Sequence, residues 1–496
     1  MITSSCQPST RLPFLSLVAA VTIVFSGCAE IGGVVQKESQ TRGGAEAVFA
    51  GARSVKPADI SLPPGYRIEA VATGLTYPTG VVFDDANRPH IIESGYAYGE
   101  RYTTARLIRI EPDGKKKTIA RGKNQPWTGA TFHQGAFYVA QGGYPGRIVR
   151  ITPDGSTSVI ADGIPSKGDH HTNGPVIGPD GWLYFGQGAI TNSGVVGEDN
   201  ALFGWLIPRP KLHDIPGRDV VLRGQNFRSG PVLPPVPAQV VTTGAFVPFG
   251  TETRPGQVIR GSVPATAAIM RVRPTGGPIE LVAWGIRNPF GLAFSPSGEL
   301  FATDTTYDSR GSRPIENAPD AMWRIRRGAW YGFPDFAAGI PLTDPRFRPE
   351  GKPQPQFLLA KHPSRPPRRA ATFAPHSASH GLDFSRSAAF GHRGQAFVAQ
   401  MGDVTPVTGV VQRPPGYKVV RVNPGSGQVT DFAVNRGGNP GPASKLNTGG
   451  LERPVDVQFD RTGAAMYVVD FGVITTPLVP NPRKRTGVLW RITRAE

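Results

Sequence analysis

The sequence predicts an all-β protein, a six-bladed β-propeller built from four-stranded antiparallel blades. The first observation is composition: 62 Gly and 50 Pro make up 112 of 496 residues, roughly twice the average use of these two residues. Such frequent breaks exclude a helical bundle or coiled coil, and the glycines lack the period of three that collagen needs. The second observation is that 44 aromatic residues recur in short apolar runs, which indicates buried strands rather than disorder. The third is a strand–turn–strand unit that occurs six times.

The N-terminal segment reads as an export signal. Arg11 supplies positive charge, and residues 12–25 form an apolar run of 14 residues, too short for a membrane span and typical of a signal peptide. The run ends in Phe25-Ser26-Gly27-Cys28, which resembles the bacterial lipobox with Phe25 in place of the usual Leu. Residues 1–27 are therefore predicted to be a lipoprotein-type signal peptide, with Cys28 as the lipidated residue on the periplasmic face of a bacterial membrane. The alternative is an ordinary signal peptide and a soluble periplasmic protein.

The cysteine content limits the chemistry of the mature chain. No Cys follows residue 28, which excludes a disulfide, a Cys-based zinc site, a thiol nucleophile and a CxxCH haem attachment from residues 29–496. Residues 28–60 are small and polar, and they predict a flexible tether. Residues 61–496 are predicted to form the propeller.

The six copies of the repeated unit begin with apolar strands that follow Gly, Pro or polar residues. These strands lie at 78–83, 127–132, 173–177, 289–294, 380–384 and 453–457. In each unit a turn and a second strand follow, as in a hairpin, and further strands such as 107–110 and 147–151 lie between the units. Two hairpins make one blade and six blades make a propeller with loops around a central channel. The extra length is predicted to lie in loops 186–270 and 303–375. A pair of β-sandwich domains is the rival architecture, but it would not need one motif repeated six times.

Three groups of residues carry candidate chemistry. Asp169-His170-His171 directly precedes the third unit, and a neutral His oriented by a neighbour can act as a general base. Arg287-Asn288 precedes the fourth unit, where an Arg can bind a carboxylate through two N–H groups. The acidic loop 304–308 follows it, with oxygen atoms of the kind that Ca²⁺ takes. Taken singly, each group also suits a solvated loop or a blade edge.

Two motifs resemble the glucose/sorbosone dehydrogenase family. One is Arg287-Asn288-Pro289-Phe290-Gly291-Leu292-Ala293-Phe294, and the other is Gly328-Ala329-Trp330-Tyr331-Gly332-Phe333-Pro334. The resemblance covers roughly residues 60–493 and implies a six-bladed propeller that uses pyrroloquinoline quinone and Ca²⁺. The family's catalytic His stands eight residues before the Gly of a Gly-Pro-Asp turn, which is His170 here, with His171 as the close alternative.

The resemblance also implies roles for individual residues. His170 would take the proton of the substrate hydroxyl, and Asp169 would set its orientation. Arg287, which would also offset the charge of the reduced quinone, Asn288 and Thr305 would contact the quinone.

Two further roles follow from the resemblance. Arg453 would grip a cofactor carboxylate. The main-chain carbonyls of Thr306 and Tyr307 would hold Ca²⁺, which would polarise the quinone as a Lewis acid.

The sequence departs from the family pattern at the cofactor's anionic groups. The fifth-blade loop reads Gln400-Met401-Gly402-Asp403 where the family has a Lys, and Val455 stands where the family has a second Arg. Arg310, Arg313 and His376 are the candidates to replace these cations.

The function implied is that of an exported oxidoreductase that oxidises a sugar or related hydroxyl compound. The alternatives are a non-catalytic ligand-binding propeller and, with fewer supporting residues, a metal-dependent lactonase-type hydrolase. The predicted partners are a sugar or polyol, an electron acceptor that the sequence does not identify, and a membrane through the lipid anchor only. The formal net charge of +17 is dispersed apart from short runs at 115–117, 365–369 and 483–485, so nucleic acid is not predicted as a partner.

Overall fold

The structure, a computed structural model, describes residues 52–96, 103–230, 240–403, 415–437, 441–475 and 480–495. The predicted signal peptide, the lipidation site Cys28 and most of the predicted tether lie outside these residues.

Six four-stranded antiparallel sheets form the blades of a β-propeller. Blade 1 contains Pro78–Phe83, Pro89–Glu93, Ala105–Ile110 and Lys116–Gly122. Blade 2 contains Trp127–His133, Ala136–Gln141, Gly146–Ile151 and Thr157–Ile164. Blade 3 contains Thr172–Ile177, Leu183–Gln187, Ala268–Val272 and Glu280–Trp284. Blade 4 contains Pro289–Phe294, Leu300–Asp304, Pro319–Arg324 and Ala371–Pro375. Blade 5 contains Ser379–Phe384, Ala396–Gln400, Lys418–Val422 and Val429–Asn435. Blade 6 contains Pro454–Phe459, Ala465–Asp470, Gly487–Arg494 and Tyr66–Leu75. The predicted architecture is confirmed, and the six repeated units supply the inner strand of each blade.

The chain closes the propeller by pairing its two ends. The outer strand of blade 6, Tyr66–Leu75, comes from the N-terminal side and pairs antiparallel with Gly487–Arg494, with Ile68 opposite Ile492. A short strand, Ile60–Ser61, adds to the outer edge of blade 5. Arg53 donates to Asp470 at 2.5 Å, so the last residues of the predicted tether contact the propeller.

The predicted loop 186–270 corresponds to an insertion within blade 3, whereas the prediction of one loop over 303–375 is wrong, because this range contains the third and fourth strands of blade 4. Residues 188–267 join the second and third strands of blade 3, and residues 325–370 join the last two strands of blade 4. They carry small two-stranded ribbons: Val220–Val221 with Val258–Ile259, Asn226–Ser229 with Val241–Gly244, and Phe336–Ala337 with Ile340–Pro341. A fourth ribbon, Ile474–Thr475 with Asn481–Pro482, follows blade 6. The helices within the described residues are short: Glu198–Leu202, and the 3₁₀ turns Pro57–Asp59 and Pro345–Phe347. Across the described ranges, no helix is long and apolar enough to cross a membrane.

The core lies between neighbouring blades, where β-branched and aromatic side chains pack face to face. Trp127, Trp323 and Trp490 are almost fully buried. The third strands are mostly buried, as in Ala105–Ile110, where Arg106 and Arg109 are half-buried and the apolar residues are buried.

The inner strands approach one another closely at the propeller axis. The third residue of the inner strand is Gly in five blades and Asp456 in blade 6. A Cβ on Gly129 would lie 3.1 Å from the Cα of Gly174, and a Cβ on Gly381 would lie 2.1 Å from a carboxylate oxygen of Asp456. Asp456 accepts a hydrogen bond from the backbone N–H of Val81 at 3.2 Å, which joins the last blade to the first.

Candidate active site

A cavity of about 190 Å³ lies at one end of the propeller axis. Its floor is formed by the second residue of every inner strand, the position just before the axial glycines. These residues are Thr79, Thr128, Asn173, Phe290, His380 and Val455. The walls come from the loops that precede the inner strands and those that follow the second strands. Because each blade contributes the same register position, the repeat itself positions the floor.

His170 lines this cavity and is held as a neutral imidazole. Its Nδ1 lies 3.2 Å from the carbonyl oxygen of Ala189, and since a carbonyl only accepts, the ring proton belongs on Nδ1. Its Nε2 accepts from Nη1 of Arg287 at 3.3 Å, longer than a typical N–H hydrogen bond. Burial and the charge of Arg287 hold the pKa of His170 well below its ordinary value. The arrangement leaves an unprotonated, weakly engaged nitrogen in the cavity.

The neighbouring histidines are also neutral. His171 lines the cavity with Nδ1 at 3.1 Å from the carbonyl oxygen of Gly142, and burial lowers its pKa to about 4. Burial lowers the pKa of His380 on the cavity floor to about 3. Both predicted candidates for the base, His170 and His171, therefore face the same space, and His170 is the one that contacts Arg287.

Asp169 does not orient His170 as the resemblance implied. Its fully buried carboxylate is bonded instead to the guanidiniums of Arg310, at 2.5 Å, and Arg287, at 2.9 Å. Burial alone would raise the pKa of Asp169, but the two arginines outweigh it and hold the pKa below the ordinary value. Ala189 and Arg287 set the orientation of the His170 ring, and Asp169 acts on it through Arg287.

Arg310 joins three carboxylates beside the cavity. Besides Asp169, it donates to Asp199 at 2.5 Å and to Asp308 at 3.2 Å. Its charge is therefore committed within the protein, although it lines the cavity. Of the other two candidate replacement cations, His376 lines the cavity 3.5 Å from Asp308, whereas Arg313 is buried against Asp335.

Asn288 and Thr305, the predicted quinone contacts, lie together on the cavity wall. The side-chain amide of Asn288 donates to the Thr305 hydroxyl at 2.7 Å and accepts from Asn173 on the floor at 3.0 Å. The Asn288 backbone N–H is fixed by Asp304 at 2.9 Å. Burial raises the pKa of Asp304 to about 6.

The predicted calcium ligands, Thr306 and Tyr307, line the cavity, but the space beside one of them is taken by a side-chain cation. Nη1 of Arg287 donates to the carbonyl oxygens of Thr306, at 2.5 Å, and Thr305, at 3.1 Å. A calcium ion on Thr306 would lie against this guanidinium and be repelled by it. Among the described residues, no three His, Cys, Asp or Glu side chains lie together in an arrangement that could hold a metal ion. These residues do not fit calcium in this arrangement.

Arg453 is not brought into the cavity. It is completely buried behind the wall, where Nη1 donates to the carbonyls of Met401, at 3.2 Å, and Asp403, at 2.8 Å. Met401 and Val455 line the cavity in front of it. In this position Arg453 supports the loop that follows the second strand of blade 5.

The charges of the cavity do not match a tricarboxylate such as pyrroloquinoline quinone. Its described lining carries four carboxyl groups and two guanidiniums, from Asp169, Asp308, Asp320, Asp403, Arg287 and Arg310. Both guanidiniums are bonded to carboxylates of the protein. Aromatic and apolar side chains suited to a flat ring line much of the remainder, including Tyr96, Phe203, Phe290 and Phe471. The lining fits a ring system but offers no unengaged arginine or lysine for three added negative charges.

Solved structures similar to this chain include a carbohydrate-active enzyme and a domain of a pyranose dehydrogenase. A Trichoderma reesei carbohydrate-active enzyme of family AA12 is 14% identical, with a TM-score of 0.54, and the match covers 90% of this chain and 100% of that chain. The holo form of the PQQ domain of a pyranose dehydrogenase from Coprinopsis cinerea is 15% identical, with a TM-score of 0.53, over 91% of this chain and 100% of that chain. The chain has the fold of these enzymes. At this level of identity the likeness establishes the fold alone. The sequence matches no protein-family model and no curated protein sequence.

Sequence reasoning missed several residues of the cavity. The floor residues Thr79, Thr128 and Phe290 carry a signal that was available, because each stands at the same position of its repeat. Phe203 reaches the cavity from a loop with no repeat register, and nothing in its local sequence indicates it.

Proposed function

We propose that this protein is an oxidoreductase that oxidises a hydroxyl group of a sugar or related compound, with His170 as the general base. The observation that carries the proposal is the neutral imidazole of His170, whose Nε2 is held in the axial cavity beside Arg287. The fold shared with a carbohydrate-active enzyme and with a domain of a pyranose dehydrogenase supports the substrate class.

In this reaction the substrate O–H proton passes to Nε2 of His170, and the hydride on the same carbon leaves to a redox acceptor bound beside it. The oxidised carbon becomes a carbonyl. Ala189 keeps the imidazole oriented through Nδ1, Nε2 gives up its long hydrogen bond from Arg287 when it takes the proton, and the buried carboxylate of Asp169 offsets the charge of the imidazolium. Asn288 can donate to a carbonyl or hydroxyl oxygen at the wall.

Pyrroloquinoline quinone is the first acceptor to test, because one of the similar structures is a PQQ domain. It would supply a carbonyl carbon that accepts a hydride. The described cavity matches its ring but not its three carboxylates, so no step above depends on it.

The enzyme proposal is tested by dye reduction. The full chain is assayed with a panel of aldoses and polyols, with and without added quinone, each with calcium and with EDTA. Substrate-dependent reduction in any arm supports an oxidoreductase, and the arms identify the acceptor. Absence of reduction in every arm, together with no change in the quinone spectrum on mixing, would sink the proposal.

The second candidate function is a non-catalytic binding protein. It is favoured because the arginines that line the cavity are already paired with carboxylates of the protein. Arg287 and Arg310 are both bonded to carboxylates of the protein, as in a cavity that recognises an uncharged ligand. In that case sugars or polyols would raise the melting temperature without being oxidised.

We further propose that the protein is exported and anchored through Cys28, and that nucleic acid is not a partner. Replacing Cys28→Ser in the expressing bacterium should release the protein from the membrane fraction. Retention of this variant in membranes would contradict lipidation at Cys28.

A further inference from the structure

Five oxygen atoms converge on the guanidinium of Arg287. Its Nε donates to the backbone carbonyl of Asn192 at 2.8 Å, and its Nη2 donates to the side-chain oxygen of Asn192 and to Asp169, each at 2.9 Å. Its Nη1 donates to the carbonyls of Thr306 and Thr305 at 2.5 and 3.1 Å. We call these five atoms the oxygen cage. Carbonyl, amide and carboxylate oxygens are the ligands that Ca²⁺ takes in proteins.

The cage is held by contacts that do not involve Arg287. The side-chain amide of Asn192 donates to the carbonyls of Asp308, at 2.8 Å, and Arg310, at 3.1 Å. The backbone N–H of Thr306 donates to Asp320 at 3.1 Å. Asp169 is fixed by the guanidinium of Arg310. Because of these contacts, we expect the oxygen atoms to keep their positions when the Arg287 side chain is shortened.

The guanidinium fills the cage completely. Arginine has five N–H groups and keeps its charge in proteins, and the cage together with His170 Nε2 offers six acceptors to those five donors. The side chain is almost fully buried. A divalent ion among the same oxygens would share this small volume with a fixed positive charge.

We propose that Arg287 is a tethered cation that takes the place of a divalent metal ion in this chain. The wild-type cage then needs no calcium, and shortening Arg287 converts it into a calcium site. This inference does not depend on the proposed enzymatic function, because it concerns only what occupies the cage.

The test compares three forms of the full chain: wild type, Arg287→Ala and Arg287→Lys. Each is stripped with EDTA, dialysed and titrated with CaCl₂ by calorimetry, and its Tm is measured in EDTA and in calcium. MgCl₂ is the ion control, since Mg²⁺ demands a more regular octahedral site than an irregular carbonyl cage provides.

Wild type should show no calcium heat and the same Tm in both conditions. Arg287→Ala should bind calcium, with a rise in Tm of roughly 2–4 °C at saturating ion. Arg287→Lys keeps a positive charge in the cage and should stay unresponsive.

A wild-type Tm that rises with calcium would overturn the proposal, as would an Arg287→Ala variant that folds but binds no calcium. If Arg287→Ala does not fold, the wild-type and Arg287→Lys measurements still decide: calcium binding by either form contradicts the proposal.

Discussion

Arg310 forms a buried ion pair with Asp169, in which Nη2 donates to both carboxylate oxygens at 2.5 Å. Both residues are buried beside the cavity, and the same guanidinium also binds Asp199. The candidate site therefore rests on a buried ionic network. It runs from Asp169, the neighbour of His170, through Arg310 to Asp199, which is not part of the cavity lining.

Removing the Arg310 guanidinium should destabilise the folded protein. Arg310→Met leaves Asp169 with one arginine and Asp199 without its buried partner, and we expect a loss of about 3–5 kcal/mol in the free energy of unfolding. Urea denaturation measures it. The matched control is Arg260→Met, which breaks an exposed pair with Asp219 and should cost less than about 1 kcal/mol. Equal losses in the two variants would contradict the account.

The pH dependence of turnover should show no titration of the base near neutrality. Burial and Arg287 keep the pKa of His170 well below 6.5, so the imidazole stays neutral as the pH falls from 8 to 6. We expect kcat/KM to stay flat over that range when buffers and dye are controlled. A fall in rate with a midpoint near 6.5 would show an ordinary, solvated histidine instead.

Asp456 should make the fold less stable as the pH rises. Burial raises its pKa to about 7, so the folded chain holds this proton more tightly than the unfolded chain. The resulting stabilisation is present in acid and is lost as the pH rises through about 7. Asp456→Asn cannot ionise, so its stability relative to wild type should increase between pH 5 and pH 8 in urea denaturation.

The control for Asp456→Asn is Thr430→Asn, at an exposed position on the outer strand of blade 5 where neither residue titrates between these pH values. Its difference from wild type should change little between the same two pH values. A constant difference for Asp456→Asn as well would mean that the axial carboxyl keeps its ordinary pKa.

The close approach of the inner strands predicts a penalty for adding one methyl group at the axis. In Gly129→Ala the new Cβ would lie 3.1 Å from the Cα of Gly174, and the two strands must separate. We expect a loss of about 1–3 kcal/mol in the free energy of unfolding. Gly230→Ala, whose Cβ meets only a glutamate oxygen at 3.6 Å, should be close to neutral. A Gly129→Ala variant as stable as Gly230→Ala would show that the axis is looser than described.

The fold was predictable because the sequence repeat marks the inner strand of each blade. Six copies of one unit specify six inner strands, and Gly and Pro punctuate each turn. The proximity of His170, Arg287 and Asn288 was predictable for the same reason, since each stands one or two residues before an inner strand.

The contacts within the site were not predictable from spacing. Asp169 adjoins His170 in sequence, but its carboxylate is bonded to Arg287 and to Arg310, which comes from a loop without repeat register. The motif position of Arg453 was assigned correctly to the start of blade 6, yet its side chain extends behind the Met401–Asp403 backbone. Side-chain direction at such positions depends on the three-dimensional packing of inserted loops.

The most direct test of the central claim is the turnover of His170→Gln beside wild type, at pH 7, in substrate-dependent dye reduction with ligand binding measured on the same samples. A general base predicts a loss of about 10²–10⁴-fold in kcat, with the ligand still bound and with His392→Gln, on blade 5 away from the cavity, unaffected. Full turnover in His170→Gln, or a loss that falls on His171→Gln alone, would contradict the assignment of His170 as the base.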